Sequence, residues 1–252
     1  MDIFGHTALV TGGALRLGAA VCRRLAQEGC RVVIHCRHSS DAAGALCADL
    51  QAMNAEAFVV QGVLDEAGAA ERIMAAAWEA AGTVDILINN AAVYERGTLL
   101  ETDEELFLRH IRVNTLAPLM LMRALMARVR CGSGGDAKAA RIINLLDRRV
   151  AGTATGCMAY HLSKCALAEA TRSAALELAP YAVVNAVAPG PVLPPPAGGV
   201  IGEKAGTVPL GERPVADAVA DAVALLLRAD SVTGQILYVD GGQHLLGRWE
   251  NE

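Results

Sequence analysis

Thr7-Ala8-Leu9-Val10-Thr11-Gly12-Gly13-Ala14-Leu15-Arg16-Leu17-Gly18 is the stretch whose reading decides the fold. Thr7 to Thr11 is a short apolar run that ends on glycine, the pattern of a strand buried on both faces of a parallel sheet. Gly12, Gly13 and Gly18 follow, and Gly18 to Glu28 reads as a helix with Ala19, Val21, Cys22 and Leu25 turned inward. A strand, a glycine turn and a helix N-terminus in succession make an anion site, because free backbone N–H groups and the helix dipole both favour phosphate. The spacing is not a strict Gly-x-Gly-x-x-Gly, so by itself the turn also fits an ordinary strand-to-helix connection.

Outward from this turn, a second strand, Arg31 to His35, leads into Cys36-Arg37-His38-Ser39-Ser40. At the end of its second strand a dinucleotide fold meets the adenosine ribose. An acidic residue there accepts the 2′-OH of NAD, whereas a cation accommodates the 2′-phosphate of NADP. Here there is no acid, but Arg37 can fork onto phosphate and hydroxyls and imidazoles stand beside it. The expectation is NADP(H); the other reading of Arg37 is a solvated loop charge.

Strand and helix patterns then alternate to the end of the chain. Asp41 to Met53 reads as a helix, Glu56 to Gln61 as a strand, Gly68 to Ala81 as a helix and Val84 to Asn89 as a fourth strand. That strand runs into Asn89-Asn90-Ala91-Ala92, whose small residues let backbone approach a ligand, with Tyr94 in the loop beyond. Thr102-Asp103-Glu104-Glu105 has the form of a capping box, opening a helical stretch to about Arg130 that contains Asn114. Residues 131–139 read as a surface loop. Arg141 to Leu146 is a fifth strand delivering Asp147, Met158 to Leu178 a helix, and Ala182 to Ala188 a sixth strand followed by Pro189-Gly190. Residues 193–214 carry a proline run and Gly198-Gly199 and read as a flap over the site. A helix from Val215 to Leu227 and a strand from Gln235 to Val239 complete the series. Alternation without a linker break predicts one doubly wound α/β domain over 1–252, with a mainly parallel sheet of about seven strands and helices on both faces.

Composition excludes several classes. The 252 residues are 53% hydrophobic, ample for a core, and the formal net charge is −5 with no run of Lys and Arg, against nucleic acid as a partner. Seven cysteines without a Cys-x-x-Cys pair read as reduced thiols of a cytoplasmic protein, not as a disulfide framework or metal site. No apolar run reaches the roughly 18 residues of a membrane span, and the N-terminus is too polar for a signal peptide.

Tyr160-His161-Leu162-Ser163-Lys164 carries the chemistry. On a helix Tyr160 and Lys164 share a face, and a cation near a phenol favours the phenolate, lowering a pKa of about 10. A tyrosine tuned in this way exchanges a proton at neutral pH. The same spacing also fits a surface pair.

Taken together, Thr11-Gly12-(x)5-Gly18, Asn89-Asn90-Ala91-Ala92, Asn114, Tyr160-x-x-x-Lys164, Pro189-Gly190 and Val239-Asp240-Gly241-Gly242 resemble the short-chain dehydrogenase/reductases, in order and at family spacing. The resemblance implies a Rossmann-type fold and hydride transfer from NAD(P)H. It makes Tyr160 the proton donor and Lys164 its tuner and ribose ligand, with Asn114 anchoring a water in a proton relay. Gly12, Arg16, Leu17, Gly18, His35, Arg37, His38, Ser39, Leu64, Asn90, Ala91, Pro189 and Gly190 become the remaining cofactor residues. It also implies a homotetramer, with the long helices around Asn114 and Tyr160 at one interface.

Two departures narrow the resemblance. Arg16 stands at the middle glycine of the family's turn, and Asp147 stands where a serine is expected thirteen residues before the tyrosine. With His35-Cys36-Arg37-His38-Ser39 and Thr171-Arg172-Ser173, these are similar to the pteridine reductase branch. That likeness implies that Arg16, Tyr94, Asp147 and Tyr160 bind a pterin, which stacks between the nicotinamide and Tyr94. The chemistry agrees: a carboxylate would repel the oxyanion of a reduced ketone and raise the Tyr160 pKa, but it suits the amino and N–H donors of a pterin. Ala92 replaces a serine common in that branch, and Val63 replaces the acid expected to bond adenine. The expected activity is NADPH-dependent reduction of a C=N bond in a dihydropterin, a dihydrofolate or an oxidised pterin. The alternatives are a general short-chain reductase of a ketone, sugar or acyl thioester, and a non-catalytic NADP-binding regulator.

Overall fold

β1 (Thr7–Val10) turns Ala8 and Val10 into one apolar layer and Leu9 into the other, and all of its residues are buried. That two-sided burial is why the strands of this chain read as unbroken apolar runs. The computed structural model describes residues 2–132, 140–192 and 208–246. β2 (Arg31–Cys36), β3 (Ala57–Gln61), β4 (Ile86–Asn89), β5 (Ala140–Leu145), β6 (Ala182–Pro189) and β7 (Ile236–Val239) join β1 in one sheet of order β3-β2-β1-β4-β5-β6-β7. Every pairing is parallel, where the sequence suggested a mainly parallel sheet.

One face is covered by α1 (Arg16–Gln27), α2 (Ser40–Ala52) and α7 (Ala216–Arg228), through Val21, Leu25, Leu46, Leu50, Val223 and Leu227. The other is covered by α3 (Ala69–Ala81), α5 (Ala117–Gly132) and α6 (Met158–Glu177), through Ile73, Met74, Leu121, Leu125 and Ala175. This is the expected doubly wound fold. The chain reverses its direction across the sheet between β1 and β4, and the crevice at the C-terminal ends of those strands is where such sheets bind ligands.

A buried polar chain ties the second half together. Asn89 Nδ2 donates to Asn144 Oδ1 (2.8 Å), Asn144 Nδ2 donates to Thr171 Oγ1 (2.9 Å), and Thr171 donates to Leu167 O (2.8 Å). At the seam between the halves, Thr11 Oγ1 accepts the N–H groups of Asn90 and Ala91 (3.0 Å each) and donates to Ile88 O (3.3 Å).

Three local expectations change. α4 (Glu104–Ile111) is capped by Asp103, whose carboxylate accepts Leu106 N–H at 2.8 Å, and the Thr102 hydroxyl instead donates to Thr98 O; the cap falls one residue later than expected, and with Leu106 at the third helical position it is a simple N-cap in place of a capping box. The helix does not continue regularly into α5. A π turn, Arg112–Leu116, intervenes and contains Asn114, which accounts for a residue of low helix propensity inside the run. Of the expected surface loop at 131–139, the first two residues end α5 and 133–139 lie outside the described residues. Most of the expected flap, 193–207, likewise lies outside them. Among the described residues, no helix is long and apolar enough to cross a membrane, and Cys22, Cys30, Cys36, Cys47, Cys157 and Cys165 are free.

Candidate active site

The glycine turn is built by contact. Gly12 has φ +59°, and a Cβ there would sit 3.1 Å from Ala91 Cα; a Cβ on Gly18 would meet Gly12 O and lie 2.7 Å from Asn90 Nδ2. Asn90 Nδ2 donates to the carbonyls of Thr11 (2.8 Å) and Gly12 (3.1 Å), locking the turn to the end of β4. His35, 1% exposed, holds it from β2. Gly12 N–H donates to Nδ1 (3.3 Å), so Nε2 carries the proton and donates to Gly62 O (3.1 Å). Burial pushes this imidazole down from its ordinary 6.5 to about 4, against the opposing Gly62 bond, so it is neutral and can accept. His35 thus supports the turn from beneath.

Above the turn lies a groove of about 460 Å3. Gly12, Arg16, Leu17, Gly18, His35, Arg37, His38, Ser39, Leu64, Asn90 and Ala91 all line it, eleven of the residues that the sequence assigned to a cofactor. Pro189 and Gly190 do not line it; they end β6, where Gly190 N–H bonds Val239 O (2.9 Å) and packs on Asp240. Val63 is also off the groove, whereas Asp65, two residues on, lines it.

The groove fits a phosphorylated dinucleotide. α1 starts beside it with neither a side-chain cap on its first N–H groups nor an acid in its first turn. Arg16 and Arg37 are exposed at its wall and pair with no carboxylate among the described residues. Arg16 has φ +53°, a left-handed conformation costing a non-glycine residue about 1–2 kcal/mol. Glycine would relieve that cost, so the arginine side chain is what the position retains.

The second cluster stands at the end of β5, along the same edge of the sheet. Asp147 caps a 3₁₀ turn, Arg148–Ala151. Its Oδ1 accepts Arg149 N–H (2.9 Å), and its Oδ2 accepts both Arg149 Nη1–H and the Tyr160 hydroxyl, each at 3.1 Å. Tyr160 is 8% exposed, and its pKa is pushed well above the ordinary value, first by burial and then by the charge of Asp147 and the bond to it; Arg149 opposes. This corrects the expectation that Lys164 lowers it. Lys164 Nζ lies 6.0 Å from the Tyr160 ring centroid and donates to Leu145 O (2.7 Å), and the cation acting on the phenol is Arg149. Burial brings Lys164 itself down to about 8, with Asp147 opposing. The cluster therefore holds a protonated phenol against a carboxylate that is itself held by an arginine.

Asn114 is fully buried and serves the loop after β4: Oδ1 accepts Val93 N–H (2.8 Å), while Nδ2 donates to Val93 O (2.9 Å) and Ser163 Oγ (3.0 Å). Ser163 in turn donates to Tyr160 O at 2.7 Å. Tyr94, 47% exposed, sets its ring edge-to-face on Tyr160 with centroids 4.8 Å apart. The structure thus brings Asp147, Tyr160, Lys164, Asn114 and Tyr94 into one neighbourhood. Arg149, His110 and Asp65 escaped the sequence reading, and Thr11 and Ser163 stood in quoted motifs without a role of their own. For Arg149 the signal was a cation two residues past an acid at a strand's end; the long-range partners of the others leave no local pattern.

A family profile described as short chain dehydrogenase matches residues 6–201. The chain is 33% identical over 248 residues to an uncharacterized oxidoreductase of Methylorubrum extorquens, covering 94% of this chain and 97% of that one. It is 31% identical over 257 residues to an L-rhamnose 1-dehydrogenase (NAD(P)(+)) of Azotobacter vinelandii, covering 96% and 98%. Among solved structures, FolM alternative dihydrofolate reductase 1 from Brucella canis, complexed with NADP, superposes with a TM-score of 0.88 at 33% identity, covering 100% of this chain and 98% of that one.

Proposed function

Because the chain belongs to the short chain dehydrogenase family, we propose that this oxidoreductase is an NADPH-dependent pteridine reductase, acting on a C=N bond of a dihydropterin or dihydrofolate. The observation that carries the substrate class is the Tyr160–Asp147 hydrogen bond, with Arg149 behind it. A carboxylate beside the acid penalises formation of a ketone-derived oxyanion but matches a heterocycle rich in N–H donors. Likeness to a dihydrofolate reductase that binds NADP supports the same reading.

When bound, NADPH supplies the hydride. The uncapped start of α1 and the Gly12–Gly18 turn hold its diphosphate, and Arg37, with His38 and Ser39, receives the 2′-phosphate. Leu64, Asn90 and Ala91 border the groove, Pro189 and Gly190 lie off it at the end of β6 and contact the cofactor beyond its mouth, and Lys164 bonds the nicotinamide ribose. Arg16 reaches both diphosphate and pterin. Tyr160 delivers the proton to the pterin nitrogen, Asp147 orients the phenol and the pterin by accepting their hydrogens, and the spent phenol is reprotonated from solvent through a relay that Asn114 joins. Tyr94 stacks on the pterin. Burial of Tyr160 keeps the proton on the phenol until substrate arrives, which suits an acid.

A second reading, reduction of a ketone or sugar, has one observation in its favour: the relative named an L-rhamnose 1-dehydrogenase is 31% identical over nearly the whole chain, against 33% for the dihydrofolate reductase. One experiment separates the two. Purified protein is mixed with NADPH and either dihydrobiopterin, dihydrofolate or a panel of ketones and sugars, while cofactor absorbance is followed. Pterin or folate turnover is expected; ketone or sugar turnover alone would sink the proposal.

The proposal extends to a cytoplasmic homotetramer. Leu116 and Leu162, 46% and 42% exposed, put apolar surface beside Asn114 and Tyr160, where the tetramer interface is expected. Light scattering on the purified protein tests the assembly.

A further inference from the structure

We propose that His110 is a positioning residue that fixes Tyr94 as a wall of the substrate site, forming with Asn114 a two-point clamp on the backbone to either side of it. The inference rests on the reading that Tyr94 faces substrate.

His110 lies in the last turn of α4 and is completely buried. Glu95 N–H donates to its Nε2 at 3.2 Å. Nε2 is therefore the unprotonated nitrogen, and Nδ1 carries the hydrogen that goes to Leu106 O at 2.8 Å. Four residues on, Asn114 takes both the N–H and the carbonyl of Val93. Residues 93 and 95 are thus held by two side chains one turn apart on a single helical run, with Tyr94 between them. Further along, Gly97 N–H bonds Gly156 O (3.0 Å) and Met158 N–H bonds Gly97 O (2.9 Å), which stitches the loop to the start of α6. Alternate residues of this segment are anchored to the protein, and the Tyr94 ring is left on the solvent side, against Tyr160.

The chemistry asks for an imidazole. The ring spans from the helix to the loop and presents one donor and one acceptor on opposite edges, matching a helix carbonyl and a loop amide. An apolar replacement of equal size would leave Glu95 N–H without its acceptor, a larger loss than removing both partners together. The nearby Glu95–Arg109 ion pair (2.7 Å) is more than two-fifths exposed on both sides and cannot stand in for it. A rigid aromatic wall requires little reordering when a flat ring docks, so the clamp acts on substrate affinity.

The test uses full-length protein with His110→Phe, His110→Asn and His110→Gln. Gln can place an acceptor near the Nε2 position; Asn is too short to reach Glu95, and serves if the Phe variant fails to fold. Amide hydrogen exchange over residues 93–97 is measured without ligand, and KM is measured for dihydrobiopterin and for NADPH. In the Phe or Asn variant, exchange quickens about tenfold and the dihydrobiopterin KM rises about tenfold, while the NADPH KM stays within about twofold. Gln restores most of both losses. In a Tyr94→Ala background, the Phe or Asn substitution raises KM no further, as expected of one coupled unit. Unchanged exchange in both variants, or a KM loss that persists in full beside Tyr94→Ala, would overturn the clamp. Exchange that responds as expected in a protein that turns over no pterin supports the clamp and removes the pterin reading instead.

Discussion

Tyr160 donates its phenolic hydrogen to Asp147 Oδ2 at 3.1 Å, and the same oxygen accepts Arg149 Nη1–H at the same distance. One carboxylate oxygen therefore joins the acid to a cation that neither the tyrosine nor the lysine supplies. The phenol stays high for two reasons, burial first and Asp147 second, with Arg149 limiting the rise.

Asp147→Ser removes the second of those causes. The reduction needs the protonated phenol, so activity is present below the phenol's pKa and lost above it. The variant's phenol titrates lower, and the alkaline limb of kcat/KM moves to lower pH. Dihydropterin kcat/KM also falls about a hundredfold, the scale of a misplaced acid. Pterin turnover equal to wild type would show that Asp147 does not serve the substrate.

Arg16→Gly should separate stability from function. Relief of the φ +53° conformation stabilises the free protein by about 1 kcal/mol, raising Tm by about 2–4 °C. NADPH and pterin binding weaken at the same time. Thermal unfolding and cofactor titration read the two effects, and a variant both less stable and fully active would refute the assignment.

Arg37→Ala tests the 2′-phosphate contact. Loss of a charged hydrogen-bonding partner raises the NADPH KM about tenfold or more, with the NADH KM held within about twofold. Equal changes for both cofactors would return Arg37 to the role of a solvated loop charge.

His35 makes the fold acid-sensitive in a defined window. Its pKa falls from 6.5 to about 4 on folding, so the unfolded chain binds more protons between those values and stability is lost as pH drops through that range. The full loss for this one group is about 3 kcal/mol. His35→Gln, which cannot titrate, should flatten this part of the denaturation-against-pH curve. An unchanged slope would place the sensitivity elsewhere.

The sheet was legible in the sequence because its central strands are buried on both faces, as Leu9 against Ala8 and Val10 shows, and two-sided burial writes itself as an apolar run. The groove was legible for a related reason: Gly12, Gly18, Asn90 and Arg37 have local signatures. Long-range polar contacts do not. Nothing near His110 announces Glu95, fifteen residues earlier, and nothing near Thr11 announces Asn90, seventy-nine residues later. For the Tyr160 shift the Asp147 position pointed upward, as found, while the i,i+4 pair with Lys164 pointed downward, since spacing carries no information on burial or on where Lys164 Nζ is already engaged.

The Thr11 hydroxyl gives the crevice a fixed seam. From the position just after β1 it accepts two amides at the end of β4, one residue before the Gly12 that lines the dinucleotide groove. Two halves riveted there do not swing apart about that seam, so the glycine turn and the end of β4 are held together before the ligand arrives. The amides of Asn90 and Ala91 should accordingly be protected from hydrogen exchange already in the free protein, and no more than slightly better protected once the dinucleotide is bound.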